Sequence, residues 1–61
     1  MPKELLKEFI DKNCTITLMG EEHTKLTGIV VAIEGYWIKI KENDCTRVIN
    51  GAMIQDIKTN K

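Results

Sequence analysis

Two adjacent aromatic residues, Tyr36 and Trp37, are the side chains best suited to recognition in this chain. They follow a Glu34-Gly35 pair, which predicts a tight reversal between two apolar segments. An aromatic ring that stacks on a nucleic-acid base contributes about 1–3 kcal/mol to binding. Basic side chains bind phosphate, and three of them lie close by in the sequence: Lys39, Lys41 and Arg47. This pattern is that of a stacking platform for single-stranded nucleic acid with phosphate contacts beside it.

The same residues also have a purely structural interpretation. Tyr36 then packs into the core, and Trp37 fills a contact between subunits, where tryptophan is enriched. The three basic residues then form only a solvated face. A barrel that binds a peptide through the same aromatics is a third interpretation, and the residues alone leave all three open.

Catalysis and metal binding find little support in the composition. The chain has one histidine, His23, and two cysteines, Cys14 and Cys45, and it has no CxxC pair. A structural zinc site needs about four nitrogen or sulfur ligands. No nucleophile–base pair, paired carboxylates or phosphate-binding loop is recognisable. We expect no enzyme, metal, cofactor or small-molecule substrate, and the sequence leaves open whether the two cysteines pair.

The net charge and the length of the chain limit which other classes of function are plausible. Nine basic and nine acidic residues cancel, which argues against tight, non-specific DNA binding. No apolar run approaches about 18 residues, so we expect no membrane-spanning helix and, without a recognisable signal peptide, a cytoplasmic protein. A domain of this size buries only about 60% of the surface that its unfolded chain exposes. We therefore expect self-association to add stability.

The elements that carry these side chains begin with a helix over residues 2–12. Pro2 suits the first helical position, and one face of the helix is apolar. Residues 14–19 alternate as a half-buried strand. Residues 26–33 contain five successive apolar residues, which predicts a strand covered on both faces, and Gly28 predicts a bend or a close backbone approach within it.

The second half of the chain predicts three more strands. Residues 36–41 alternate, residues 45–49 follow a polar turn, and Asn50-Gly51 predicts a turn before residues 53–57. Residues 58–61 are predicted to be a frayed tail. One helix and five short strands predict a single, mainly β domain over residues 1–61, with a strongly bent small barrel over residues 14–57.

Two segments resemble the motifs of the Sm-like family, which includes the bacterial Hfq branch. Gly28, Ile33-Glu34 and residues 38–40 take the positions of the first Sm motif. Residues 49–57 match the second motif, with asparagine at the position where arginine is usual. The resemblance covers about residues 4–57. It implies an SH3-like or Sm-like five-stranded barrel that forms a homo-oligomeric ring and binds single-stranded RNA.

The resemblance also implies where RNA is bound. Tyr36 takes the place of a base-stacking aromatic in Hfq proteins, and Gly35 that of a polar base-reading side chain. Asn50 and Gly51 take the places of a basic residue and a histidine, so we expect weak binding. The expected RNA-binding residues are Tyr36, Trp37, Lys39, Lys41, Arg47, Asn50 and Gly51. The alternatives are an oligomer of the same fold that binds no RNA, and an SH3-like or Tudor-like barrel that binds a peptide.

Overall fold

Five antiparallel strands form one sheet, and a short helix precedes them. The computed structural model describes residues 2–20 and 22–60, so that Met1, Glu21 and Lys61 lie outside the described residues. The elements in chain order are α1 Lys3–Lys7, β1 Asn13–Leu18, β2 Lys25–Glu34, β3 Trp37–Lys41, β4 Thr46–Asn50, a 3₁₀ helix Gly51–Met53 and β5 Ile54–Thr59. The prediction of a mainly β chain with one N-terminal helix and five strands is confirmed.

The sheet has the order β4-β3-β2-β1-β5, so β4 and β5 are its two edges. The central strand β2 is 10 residues long and has a β-bulge between Val30 and Ala32 against β3. A Cβ at Gly28 would lie 2.6 Å from the carbonyl oxygen of Lys41, so the close approach predicted at this glycine is confirmed. The edge strands β4 and β5 are not paired with each other, so the prediction of a small barrel holds only as far as a five-stranded antiparallel sheet that is not closed.

The core lies on one face of this sheet, which we call the inner face, with α1 packed against it. Ile38 and Ile40 of β3 are fully buried, whereas the residues that alternate with them, Trp37, Lys39 and Lys41, are exposed, as the alternation predicts. The buried apolar residues are Leu6, Cys14, Ile16, Leu26, Val30, Ile38, Ile40, Ile49 and Ile54. Within the described ranges, no helix is long and apolar enough to cross a bilayer.

The helix is shorter than predicted. It ends at Lys7, and the chain continues in turns in which N–H groups bond three residues back, as from Lys12 to the Phe9 carbonyl at 3.1 Å. Asp11 has φ 69° and donates its N–H to the carbonyl of Val30 at 2.7 Å. The sheet thus takes a backbone donor that a longer helix would use, and the helical ladder stops.

The prediction that β2 is covered on both faces is wrong within one chain. Leu26, Gly28 and Val30 point inward and are buried. Ile29 and Val31 are 41% and 42% exposed on the other side. The continuous apolar run therefore leaves one apolar face of the sheet open.

The predictions for the end of the chain need two corrections. The Asn50-Gly51 turn is the start of the 3₁₀ helix, and the side chain of Asn50 accepts a hydrogen bond from the N–H of Ala52. The tail is not frayed at residues 58–60, because β5 runs to Thr59 and Asn60 donates its N–H to the carbonyl of Asn13 at 2.8 Å. Lys61, the last residue of the predicted tail, lies outside the described residues.

Candidate functional site

A pocket of about 360 Å³ lies between the start of α1, the β2–β3 turn and the 3₁₀ helix; we name it the turn pocket. Its volume falls in the range of roughly 300–1,000 Å³ typical of ligand sites. Three of the predicted RNA-binding residues, Tyr36, Asn50 and Gly51, meet in it. The complete lining is Lys3, Leu6, Gly35, Tyr36, Asn50, Gly51 and Ala52.

Gly51 holds the β2–β3 turn against the 3₁₀ helix. Its N–H donates to the carbonyl of Tyr36 at 2.6 Å, and a Cβ at this position would lie 2.8 Å from the same oxygen. Any larger residue would push the turn away. Gly35 lies within the turn with φ 57°, a conformation that glycine adopts without a steric penalty. The two glycines together fix one wall of the turn pocket.

Asn50 and Lys3 supply the polar groups of the turn pocket. The Oδ1 atom of Asn50 accepts from the N–H of Ala52 at 2.9 Å, which directs the amide nitrogen of the same side chain away from this bond. None of the described lining residues carries a carboxylate. A pocket with an amide donor and an ammonium group favours a ligand rich in acceptor oxygens, such as a phosphate or the carbonyl edge of a base.

Tyr36 lies at the rim of the turn pocket and is 64% exposed, so the interpretation that it packs in the core is wrong. Its ring centroid is 5.9 Å from that of Trp37, and the two ring planes are tilted by 40°. Trp37 is 48% exposed and lies on the outer side of the sheet. Both rings are therefore accessible, but they belong to different surfaces.

The other predicted residues do not join the turn pocket. Trp37 and Lys39 line a hollow of about 180 Å³ on the outer face of the sheet. Lys41 lines a separate hollow near the far end of β3. Arg47 is paired with Glu42, with 2.8 Å between Nε and Oε2, and this hydrogen bond raises the pKa of its guanidinium. A phosphate would have to compete with a carboxylate for Arg47.

Both cysteines are free thiols, Cys14 in the core and Cys45 on the surface. The hydrogen bond to the Glu42 carboxylate raises the pKa of the Cys45 thiol, and burial raises that of Cys14. A raised pKa leaves little thiolate at neutral pH, so neither cysteine is an activated nucleophile. In the part of the chain that the structure describes, no three histidine, cysteine or acidic side chains are placed to hold a metal ion.

Lys3 is the site residue that sequence reasoning misses. It stands 47 positions before Asn50, yet both line the turn pocket. Its sequence context shows only a charge on the polar face of a helix. The position of that charge depends on how Leu6 seats α1 on the sheet, which no local pattern reveals.

Comparison with family models, with curated proteins and with solved structures finds no match to the chain.

Proposed function

We propose that the chain is an Sm-like domain, with the five-stranded sheet left open, that assembles with copies of itself and binds single-stranded RNA weakly at the turn pocket. The observation that carries this proposal is the meeting of Tyr36, Asn50 and Gly51 in one pocket with Lys3. An exposed aromatic ring supplies the stacking surface, and the two donor groups beside it suit phosphate or base oxygens.

The charge of the chain sets the strength of this binding. Lysine and arginine are balanced by acidic residues, and Arg47 is already paired with Glu42. Lys3 is the one basic residue among the described lining of the turn pocket. Each phosphate contact to a single strand changes the slope of log K against log salt by about 0.7. We therefore expect a small salt dependence for each subunit, and an affinity that stacking dominates.

The two sheet edges support the proposed self-association. β4 and β5 are edge strands, and edge strands expose backbone groups that pair readily with another chain. Because they are different strands, pairing β4 of one copy with β5 of the next is a head-to-tail contact, which closes into a ring when the rotation between copies permits. Asn50 ends β4, so one turn pocket would stand beside each such contact.

A cytoplasmic location is part of the proposal. Free thiols persist in reducing compartments, whereas pairs of cysteines in secreted proteins are usually oxidised. Cys45 is exposed and free, and Cys14 is buried on β1. This placement fits a chain that folds without a disulfide.

The second candidate is an interaction module of the same fold that binds no RNA. The observation that favours it is the exposed outer face of the sheet, where Trp37 and Val48 remain 48% and 53% accessible. A barrel that binds a peptide would use this face and the ring of Tyr36.

A fluorescence titration distinguishes these functions. Trp37 lies next to Tyr36, so its emission should be quenched when U-rich or A-rich RNA oligomers bind. Tyr36→Ala should weaken binding by about 1–3 kcal/mol, the contribution of one stacked base. Lys3→Gln should reduce the salt slope by about 0.7 per bound subunit, since one phosphate contact is lost.

The matched control for Lys3→Gln is Lys12→Gln, an exposed lysine outside the turn pocket, which should leave the salt slope unchanged. Absence of quenching by any oligomer at low salt would refute RNA binding and leave the interaction module. Light scattering that showed only monomers at high protein concentration would refute the ring and favour the peptide-binding barrel.

A further inference from the structure

β2 has an apolar run whose outer side is open in the single chain. Residues 29–33 are all apolar, and a strand without alternation is typical of coverage on both faces. Ile29 and Val31 are nevertheless 41% and 42% exposed. The sequence of β2 is thus typical of a strand that is covered on both faces. The described residues of this chain cover only the inner face.

The open side continues across the neighbouring strands. Two rows of paired residues cross β2, β3 and β4: Ala32, Lys39 and Val48 in one, and Glu34, Trp37 and Asn50 in the next. Directly opposed residues of antiparallel strands have their side chains on the same face. We name the surface formed by Ile29, Val31, Ala32, Glu34, Trp37, Lys39 and Val48 the outer face.

The charges of the outer face are of both signs and surround the apolar centre. Glu34 and Lys39 lie in adjacent rows on adjacent strands. Among the described residues, the single ion pair is that between Arg47 and Glu42, so neither of these two charges is paired. Lys41 lies one row further away, at the margin of the face.

This arrangement complements itself. A two-fold axis that lies parallel to the sheet and passes midway between Glu34 and Lys39 would place Glu34 of one copy opposite Lys39 of the other, and the reverse pair would form at the same time. An acidic ligand such as nucleic acid would meet the carboxylate of Glu34, and a basic peptide would meet the ammonium of Lys39. A second copy satisfies both charges while it covers Trp37 and Val48.

We propose that the outer face is a two-fold contact between copies of this chain, in which Trp37 and Val48 become buried. Two sheets would pack face to face at about 10 Å, and the contact uses the sides of the strands rather than their edges. Interfaces that bury less than about 1,200 Å² are weak. Because β3 and β4 have only five residues each, we expect the contact to belong to that class and the association to depend on protein concentration. It is independent of RNA binding and of edge pairing.

A charge swap tests the contact. Lys39→Glu sets two carboxylates against each other at both symmetric positions, and Glu34→Lys does the same with two ammonium groups. Each single variant should raise the dissociation constant by about tenfold or more, and the double variant should restore it. Sedimentation velocity over a concentration series should give the wild type and the double variant twice the mass of either single variant.

Both substituted positions are exposed, so the variants should fold. Lys12→Glu changes net charge by the same amount as Lys39→Glu but lies outside the outer face, and it should keep the wild-type mass. The emission maximum of Trp37 gives a second measurement, because it should move to shorter wavelength as the wild type associates and stay constant in Lys39→Glu.

Two results would overturn the inference: an equal mass for wild type and Lys39→Glu at every concentration, or a double variant that stays dissociated. The mass ratio of two is expected when the unit that associates is a monomer. If that unit is a ring, every subunit carries an outer face, and the wild type should have at least twice the mass of Lys39→Glu. Failure of Tyr36→Ala to alter RNA binding would refute the RNA site and leave this contact standing, so the two proposals fail separately.

Discussion

Gly28 lies where the central strand β2 leaves no room for a larger residue. A Cβ at this position would lie 2.6 Å from the Lys41 carbonyl oxygen and 2.7 Å from Cγ2 of Ile40. Backbone cannot yield as the end of a flexible side chain can. Gly28→Ala should therefore destabilise the fold by about 1–3 kcal/mol, the usual effect of overpacking. Urea unfolding followed by Trp37 fluorescence measures this change in the free energy of unfolding.

The control for Gly28→Ala is Gly35→Asn in the β2–β3 turn. Nothing lies within 4 Å of a Cβ added at Gly35, and its φ is 57°. Asparagine visits this left-handed region more readily than other residues that have a Cβ, so the loss should stay below about 1 kcal/mol. If Gly28→Ala unfolded at the same urea concentration as the wild type, close packing would not be the reason for glycine at this position.

At the scale of the elements, packing of one side chain stabilises α1 more than its own helical hydrogen bonds do. A helix of five residues is too short to be stable alone. Leu6 is 2% exposed in the core, whereas Leu5 is 53% exposed. Leu6→Ala should cost about 2–5 kcal/mol and Leu5→Ala less than about 1 kcal/mol. Urea unfolding of the two variants, which remove the same atoms from neighbouring positions, checks the seating of α1.

A reversed order of these two effects would mean that α1 presents its other side to the sheet. The turn pocket would then lose its geometry, because Lys3 and Leu6 both line it. The stability of the two leucine variants thus also tests the placement of Lys3.

The elements themselves could largely be predicted, because local patterns determine them. Alternation in residues 36–41 gave the exposed and buried sides of β3, and an isolated strand glycine gave the close approach at Gly28. The end of α1 could not be predicted, because it depends on the hydrogen bond from Asp11 to Val30, two residues far apart in sequence. The open side of β2 could not be predicted either. A continuous apolar run indicates that both faces of a strand are covered, but it does not indicate whether the same chain or another molecule covers them.

At the scale of the whole molecule, the candidate site combines local and distant information. Tyr36, Asn50 and Gly51 were predicted from motif positions, and they share the turn pocket. Closeness in sequence predicts that Tyr36 shares its site with four further residues, namely Trp37, Lys39, Lys41 and Arg47. In β3, however, Trp37 and Lys39 lie on the outer face, and Arg47 is paired with Glu42. Proximity along the chain does not distinguish the two faces of a sheet on its own.

If the turn pocket binds RNA weakly, as proposed, linking several pockets would increase the affinity. If the chain forms a ring, an RNA oligomer long enough to span several turn pockets should bind up to about 10²–10⁴-fold more tightly than one that fills a single pocket. Titrating Trp37 fluorescence with oligomers of about six and about eighteen nucleotides at equal salt measures this ratio, since single-strand sites often span about 4–16 nucleotides.

Tyr36→Ala provides the internal check on this ratio. The variant should lose about 1–3 kcal/mol of binding free energy at each occupied pocket. The short oligomer occupies one pocket and the long oligomer several, so the variant should lose more affinity for the long oligomer. Independent subunits behave differently. Their affinity rises only in proportion to the number of pockets that one oligomer can reach, and the penalty of the variant is then equal for both lengths. Equal penalties would therefore show that the turn pockets act one at a time, and the ring would have no role in RNA binding.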